Sequence, residues 1–377
     1  MCCSWVEFNT TCTFPKPADT PPYEPEIRSQ LRSEPGASER GEMPVGSLSP
    51  RLGGSLALPH FDPCCGCPIR HADVMKSIAV FIAALGLAGV GLMAGPPPIP
   101  TKADVSYGSE AHQLMDICVP PTGEGPFPVV LFYGGIWKSD KHVPDTNRFF
   151  PAHCAVIGVE TRAMDDAGKA KISPPISVVL LDARRAVQFV RLHAAEWNLD
   201  PQRIAVAGGS QAAIPALYVA CEGEQANPQS SDPVERASTK VVCAGSYRGP
   251  GSIDPKRLLE WDPGYTWGAP SLGCSFADSL KNRDQLLPVI NQWSPDALLT
   301  KEAPPIYIEY DWGLTKPADI TEENYRIHSP LLALGFQKLA QERGATCYVK
   351  FPGHDSEKYK NVWDFLVEQL NTGLVHP

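Results

Sequence analysis

The sequence has no positive charge to spare: 33 Lys and Arg stand against 42 Asp and Glu, a formal net charge of −9. A chain so balanced offers no broad basic surface to neutralise phosphates, which argues against nucleic acid as a partner. It also lacks an apolar run of about 20 residues, the length a membrane-spanning helix needs. The longest run is IAVFIAALGLAGVGLMA, Ile78 to Ala94. Cysteine pairs at finger-like spacing are missing too. The CCGC run from Cys64 to Cys67 has no second pair of ligands, so no structural metal is expected. With 43% hydrophobic residues the chain is neither disordered throughout nor a fibrous repeat.

What is present is unevenly spread. Of 39 Pro and 12 Cys, eleven Pro and six Cys fall between Met1 and Val74, a segment without helical or strand periodicity. It reads as disordered, or as upstream sequence wrongly assigned to the protein. Met75-Lys76, the apolar run, Ala94 and the Pro-rich patch Pro96 to Pro100 then follow in the order of a secretory signal peptide. Leu92, three residues before the expected cut, is larger than such a site prefers, which leaves a retained membrane anchor or an apolar linker as alternatives. The expected working molecule is Gly95 to Pro377, exported or periplasmic, or else membrane-anchored.

In that region strand-like runs alternate with helix-like stretches. The strand-like runs are Leu114 to Val119, Pro128 to Tyr133, Ala155 to Glu160, Arg203 to Ala207, Lys240 to Ala244, Ile306 to Tyr310 and Thr346 to Phe351. The longest helix-like stretch, Val178 to Trp197, sets Leu181, Ala186, Phe189, Val190 and Ala194 roughly on one stripe. Such alternation implies an α/β fold with a mostly parallel sheet flanked by helices. Ligands in these sheets sit at the carboxyl ends of strands.

Four places follow from that rule. Gly208-Gly-Ser210-Gln-Ala212 leads from a strand into a helix-like stretch, the setting of a nucleophile elbow, G-x-S-x-G, with Ala212 in the second glycine place. Gly134-Gly135 after the Pro128 strand turns backbone N–H groups inward, able with the N–H of Gln211 to hold an oxyanion. Phe351-Pro-Gly-His354 returns a histidine, the candidate general base, after the last strand. Behind Ile306 to Tyr310, Asp311 and Asp319 are both available to orient that histidine. Asp355, adjacent to His354, is poorly placed to reach its neighbour's ring. Each signal alone is common in α/β proteins; serine, acid and histidine in this order are the α/β-hydrolase arrangement.

On these residues the region resembles an α/β-hydrolase of the carboxylesterase type, similar to secreted bacterial feruloyl and acetyl-xylan esterases. The most specific stretch runs from Asp182-Ala-Arg-Arg through Glu196-Trp-Asn-Leu-Asp-Pro-Gln-Arg203 to Gly209-Ser210. Pro304-Pro-Ile-Tyr-Ile308, His328-Ser-Pro330 and Gly353-His354 match the family's last third. The resemblance implies Ser210 as nucleophile, His354 as base, Gly134, Gly135 and Gln211 around the oxyanion, and no cofactor. It favours Asp319 over Asp311 as the acid, because Asp311 occupies the glycine place of the family's Gly-x-x-Asp. Tyr133 stands where relatives carry the histidine that supports the oxyanion loop. The reaction implied is two-step acyl transfer from a small or carbohydrate-linked ester.

An insertion at about 249–303 carries Trp261, Tyr265, Trp267, Phe276 and Trp293, rings that either pack it on the core or face a substrate. The other function class, motivated by Tyr133, Ala212 and the two competing acids, is a catalytically weak member of the fold that binds a glycan or small ligand through this insertion. The six later cysteines, Cys118, Cys154, Cys221, Cys243, Cys274 and Cys347, suggest one bridge at most, and none is placed as a nucleophile.

Overall fold

Alternation of side chains along each strand divides the core. Val129, Leu131 and Tyr133 point to one face of the sheet and Val130 and Phe132 to the other, all buried. The structure, a computed structural model, describes residues 99–372 except 268 and 357, so the expected disordered leader (1–74) and signal segment (75–94) lie outside the described residues.

Eight strands form one sheet: β1 (Lys102–Ser106), β2 (Leu114–Cys118), β3 (Phe127–Tyr133), β4 (Ala155–Glu160), β5 (Leu199–Gly209), β6 (Ala244–Tyr247), β7 (Ile306–Glu309) and β8 (Cys347–Lys350). Their order is β1-β2-β4-β3-β5-β6-β7-β8. β2 is antiparallel to β1 and β4, and every other pair is parallel. The principal helices are α1 (Ile176–His193), α2 (Ala213–Cys221), α3 (Pro255–Trp261), α4 (Arg283–Trp293), α5 (Glu322–Ile327), α6 (Pro330–Arg343) and α7 (Val362–Thr372). On one face α1, α2 and α6 bury Val179, Val187, Leu217 and Phe336 against Leu131, Val206 and Ile308. On the other, Phe365, Leu366 and Leu370 of α7 cover Val130, Val156, Ala205 and Tyr307.

The mostly parallel α/β sheet is as the sequence suggests, with three adjustments. The edge strand β1 has too little apolar pattern, KADVS, to be recognised. The run at Lys240 enters the ladder only at Ala244; before that, Val242 N–H donates to Ile204 O at 2.8 Å outside the regular register. Helix α1 ends at His193, and the 3₁₀ turn Ala194–Trp197 carries the chain to Asn198 at φ 56°. A buried carboxylate ties the helix to the sheet: Asp182 accepts from Arg162 Nε at 2.9 Å and from Gln113 Nε2 at 2.7 Å.

Cys118, Cys154, Cys221, Cys243 and Cys347 carry free thiols. Burial pushes Cys118 and Cys154 up to about 11, far from thiolate chemistry at neutral pH.

Candidate active site

β5 runs straight into α2 through the short turn Ser210–Ala212, and the turn forces Ser210 to φ 53°. A non-glycine residue in the left-handed region is strained, and the strain persists only where surrounding structure holds it. Here the hold is close packing: a Cβ on Gly208 would lie 2.0 Å from the Ala212 carbonyl oxygen, so the strand end fits the helix start only with glycine. The Ala212 methyl, by contrast, is simply buried.

The histidine that faces Ser210 is His328, not the expected His354. Its Nε2 lies 2.8 Å from Ser210 Oγ. Its Nδ1 meets two oxygens of Asn324, the carbonyl at 3.2 Å and Oδ1 at 2.9 Å. A backbone carbonyl only accepts, so Nδ1 carries the hydrogen and Nε2 is left to accept the Ser210 hydroxyl proton. Three contacts set this geometry. Thr321 caps α5 by accepting from Asn324 N–H at 3.2 Å, Arg326 pairs with the fully buried Asp262 at 2.7 Å, and Tyr325 hydroxyl donates to Gly313 O at 3.1 Å. α5 is thereby fixed to the insertion and to the loop after β7.

His354 is engaged elsewhere. Its backbone exchanges hydrogen bonds with Phe351 at 2.8 and 3.0 Å, closing the turn through Gly353, and its ring stacks on Phe351 at 4.8 Å. Neither candidate acid reaches the His328 ring by a described hydrogen bond. Asp311 Oδ1 pairs with Arg248 Nε at 3.2 Å, and Asp319 is exposed in a turn before α5, with no described hydrogen bond or ion pair. In the sequence His328 stands out only as part of the family-like His328-Ser-Pro330 stretch, with no role given to it, and Asn324 not at all. The available signal was their i, i+4 spacing, which puts two side chains on one helical face.

Burial holds the His328 imidazole below its ordinary range, and the Arg248 charge pushes it the same way. The Asn324 carbonyl and Asp311 push it back up.

The Gly134-Gly135 loop after β3 uses its two glycine amides differently. Gly134 N–H donates to Val159 O at 3.0 Å, extending the sheet, so it is not a donor to the site. A Cβ there would lie 1.8 Å from Asp140 O, which shows how tightly the loop folds back. No described hydrogen bond engages the Gly135 amide, and the Gln211 amide opens the first turn after β5, where no intrahelical acceptor exists. Tyr133 donates its hydroxyl to Ala183 O at 3.0 Å and anchors the loop to α1.

Most rings of the insertion pack inward: Tyr265 is buried, Trp293 stacks on Tyr218 at 5.9 Å, and Trp261 lies edge-on to Phe336 at 6.3 Å. Trp267 instead meets Trp137, two residues after Gly135, at 5.0 Å, and Trp312 lies 5.9 Å from the His328 ring.

No curated protein matches the sequence. Among solved structures, a truncated carbohydrate esterase from gut microbiota superposes with a TM-score of 0.52 at 18% identity, over 72% of this chain and 96% of that one. A bifunctional GH43-CE protein of Bacteroides eggerthii gives 0.50 at 18% identity, over 71% of this chain and 38% of that one. At such identities the likeness concerns the fold. The BD-FAE family model matches residues 115–309, more than half of the sequence and the stretch that holds Ser210 and the Gly134-Gly135 loop. The chain belongs to the BD-FAE family and has the fold of the α/β-hydrolase-type esterases.

Proposed function

We propose that the protein is a serine ester hydrolase in which Ser210 is the nucleophile and His328 the general base. The observation that carries this reading is the 2.8 Å contact between Ser210 Oγ and His328 Nε2 on a strained strand-to-helix elbow. His328 takes the Ser210 proton as the oxygen attacks the ester carbonyl. The amides of Gly135 and Gln211 receive the tetrahedral oxyanion. The alcohol leaves with the proton from His328 Nε2, and water repeats the sequence on the acyl-enzyme. Asn324 keeps Nδ1 protonated, the tautomer the first step needs.

Small or carbohydrate-linked esters suit the setting: Trp312 sets an apolar ring beside His328, Trp137 follows the Gly134-Gly135 loop and meets Trp267, and the gut-microbiota neighbour is named a carbohydrate esterase. No cofactor enters this reaction. We also propose export, from the order of residues between Met75 and Ala94. The intact mass of protein recovered outside the cytoplasm tests it: a mass beginning near Gly95 supports cleaved export, a mass that includes residues 1–74 overturns the start at Met75, and finding no protein outside the cytoplasm overturns export.

One observation favours a second reading, a ligand-binding protein with little turnover: the partner of His328 Nδ1 is a neutral amide and not a carboxylate, which gives less support to an imidazolium. Hydrolysis of 4-nitrophenyl acetate by the wild type and by Ser210→Ala separates the two. The esterase reading expects a loss on the order of 10⁴-fold or more in kcat/KM. Equal turnover by both proteins, or none by either, overturns it.

A further inference from the structure

A second residue at the sheet's carboxyl edge is strained in the same way as the nucleophile. Gly209 pairs with Tyr247 across the parallel β5–β6 ladder, so Ser210 and Arg248 are the next residues along adjacent strands. Both are left-handed, at φ 53° and 54°. The turn after Arg248 lies against the nucleophile: a Cβ on Gly249 would be 2.4 Å from Ser210 O. A strained non-glycine residue beside a reactive one points to a constraint other than stability.

The guanidinium is held by two aromatic rings. Its Cζ lies 4.9 Å from the Tyr247 ring centre and 5.4 Å from that of Trp312, and Trp312 is the ring that stands beside His328. The side chain is about one-third exposed, and its ion pair with Asp311 uses Nε, the inner donor of a group that has five. Asp311 is itself 41% exposed at the side chain, so an incoming anion can displace it. Aromatic faces that fix a planar guanidinium leave its donor edge ready for a carboxylate.

We propose that Arg248 selects substrates that carry a carboxylate near the scissile ester, with Asp311 as the counterion in the free protein. The proposal rests on the ester-hydrolase reading above for its kinetic form. The shared chemistry is one carboxylate, on either the acyl or the alcohol side, and two substrate pairs distinguish them. On the acyl side, 4-nitrophenyl hydrogen adipate is compared with its methyl ester. On the alcohol side, 4-acetoxybenzoate is compared with methyl 4-acetoxybenzoate. Comparing each anionic-to-neutral ratio between wild type and Arg248→Met cancels the intrinsic reactivities.

A charged hydrogen bond lost on Arg248→Met should lower kcat/KM for the anionic member of at least one pair by about ten- to a hundredfold, leaving the neutral members within about threefold. Arg248→Lys should recover part of the ratio, and Asp311→Asn, which frees the guanidinium, should raise it. Anionic and neutral members falling together in both pairs, or no ratio changing, overturns the proposal. Calorimetric binding of adipate and of benzoate to Ser210→Ala, with and without Arg248→Met, needs no turnover. A tenfold weaker affinity on removing Arg248 supports the anion site even if the wild type hydrolyses nothing, which is the failure of the hydrolase reading alone. Equal affinities count against the anion site. Should Arg248→Met not fold, Arg248→Lys and Asp311→Asn carry the same comparison.

Discussion

The two halves of the site are built differently. On the serine side everything is close in sequence: β5, the turn and α2 are consecutive, and the position of Ser210 follows from the backbone fit of Gly208 on Ala212. On the histidine side the residue is delivered by a six-residue helix, α5, that hangs on contacts with Asp262 of the insertion and Gly313 of the loop after β7. Local backbone chemistry can be read in five residues; a long-range assembly of loops cannot. That is why the serine and the histidine, 118 residues apart, had such different visibility.

The sharpest way to break this comparison is to exchange the fates of the two histidines. His328→Gln should lower kcat/KM for 4-nitrophenyl acetate on the order of 10³-fold, the scale of a lost general base. His354→Gln should stay within a few-fold, since its ring only stacks on Phe351 and its backbone bonds survive the change. The reverse result would return the base to His354. Next in size is the elbow itself. Gly208→Ala puts a methyl against the Ala212 carbonyl, and a displacement of about 1 Å at the nucleophile costs on the order of 10²-fold in rate. A variant of normal rate and normal melting temperature would show that the turn has slack.

Asn324→Ala comes third. It deletes one neutral hydrogen bond to Nδ1 while the backbone carbonyl at 3.2 Å keeps the tautomer, so about 1 kcal/mol, or roughly fivefold in kcat, is expected. A drop above a hundredfold would mean that the side chain alone orients the ring.

What was legible beforehand follows the same division. The strands Ala155–Glu160 and Leu114–Cys118 are dense in apolar residues and legible as strands; the parallel pairing followed from the later alternation of strands with helices, whereas nothing local to Leu114–Cys118 marks its antiparallel pairing. Ser210 was visible because glycines and a serine between strand and helix are a local signature. Gly134 was misjudged because whether an amide faces the site or the neighbouring strand depends on where the ladder stops, and here it runs one residue further, to Val159 O. Asp311 was visible as a carboxylate after β7 but not as the counterion of Arg248, which comes from the neighbouring strand end. The insertion's rings were ambiguous for a related reason: Trp293 and Trp267 look alike in sequence, yet one stacks on Tyr218 and the other reaches Trp137.

The smallest effect probes the electrostatics of the histidine side. The base works only as neutral imidazole, so kcat/KM should fall as pH drops through the His328 pKa. Burial disfavours the imidazolium, and Arg248 adds repulsion, which puts that pKa below the ordinary 6.5. The acid limb should therefore lie below 6.5, with activity kept to lower pH than a solvated histidine allows. The charged groups that act on the ring make the test directional. Arg248→Met removes a cation and should move the limb up, whereas Asp311→Asn removes an anion and should move it down, each by a fraction of a pH unit at this exposure. Stability has the matching sign: the unfolded chain binds this proton more readily, so the folded state loses stability as pH falls from 6.5 through the folded-state value. A limb at or above 6.5 that neither substitution moves would mean that His328 does not set the titration, and the pair with Ser210 would lose its chemical role.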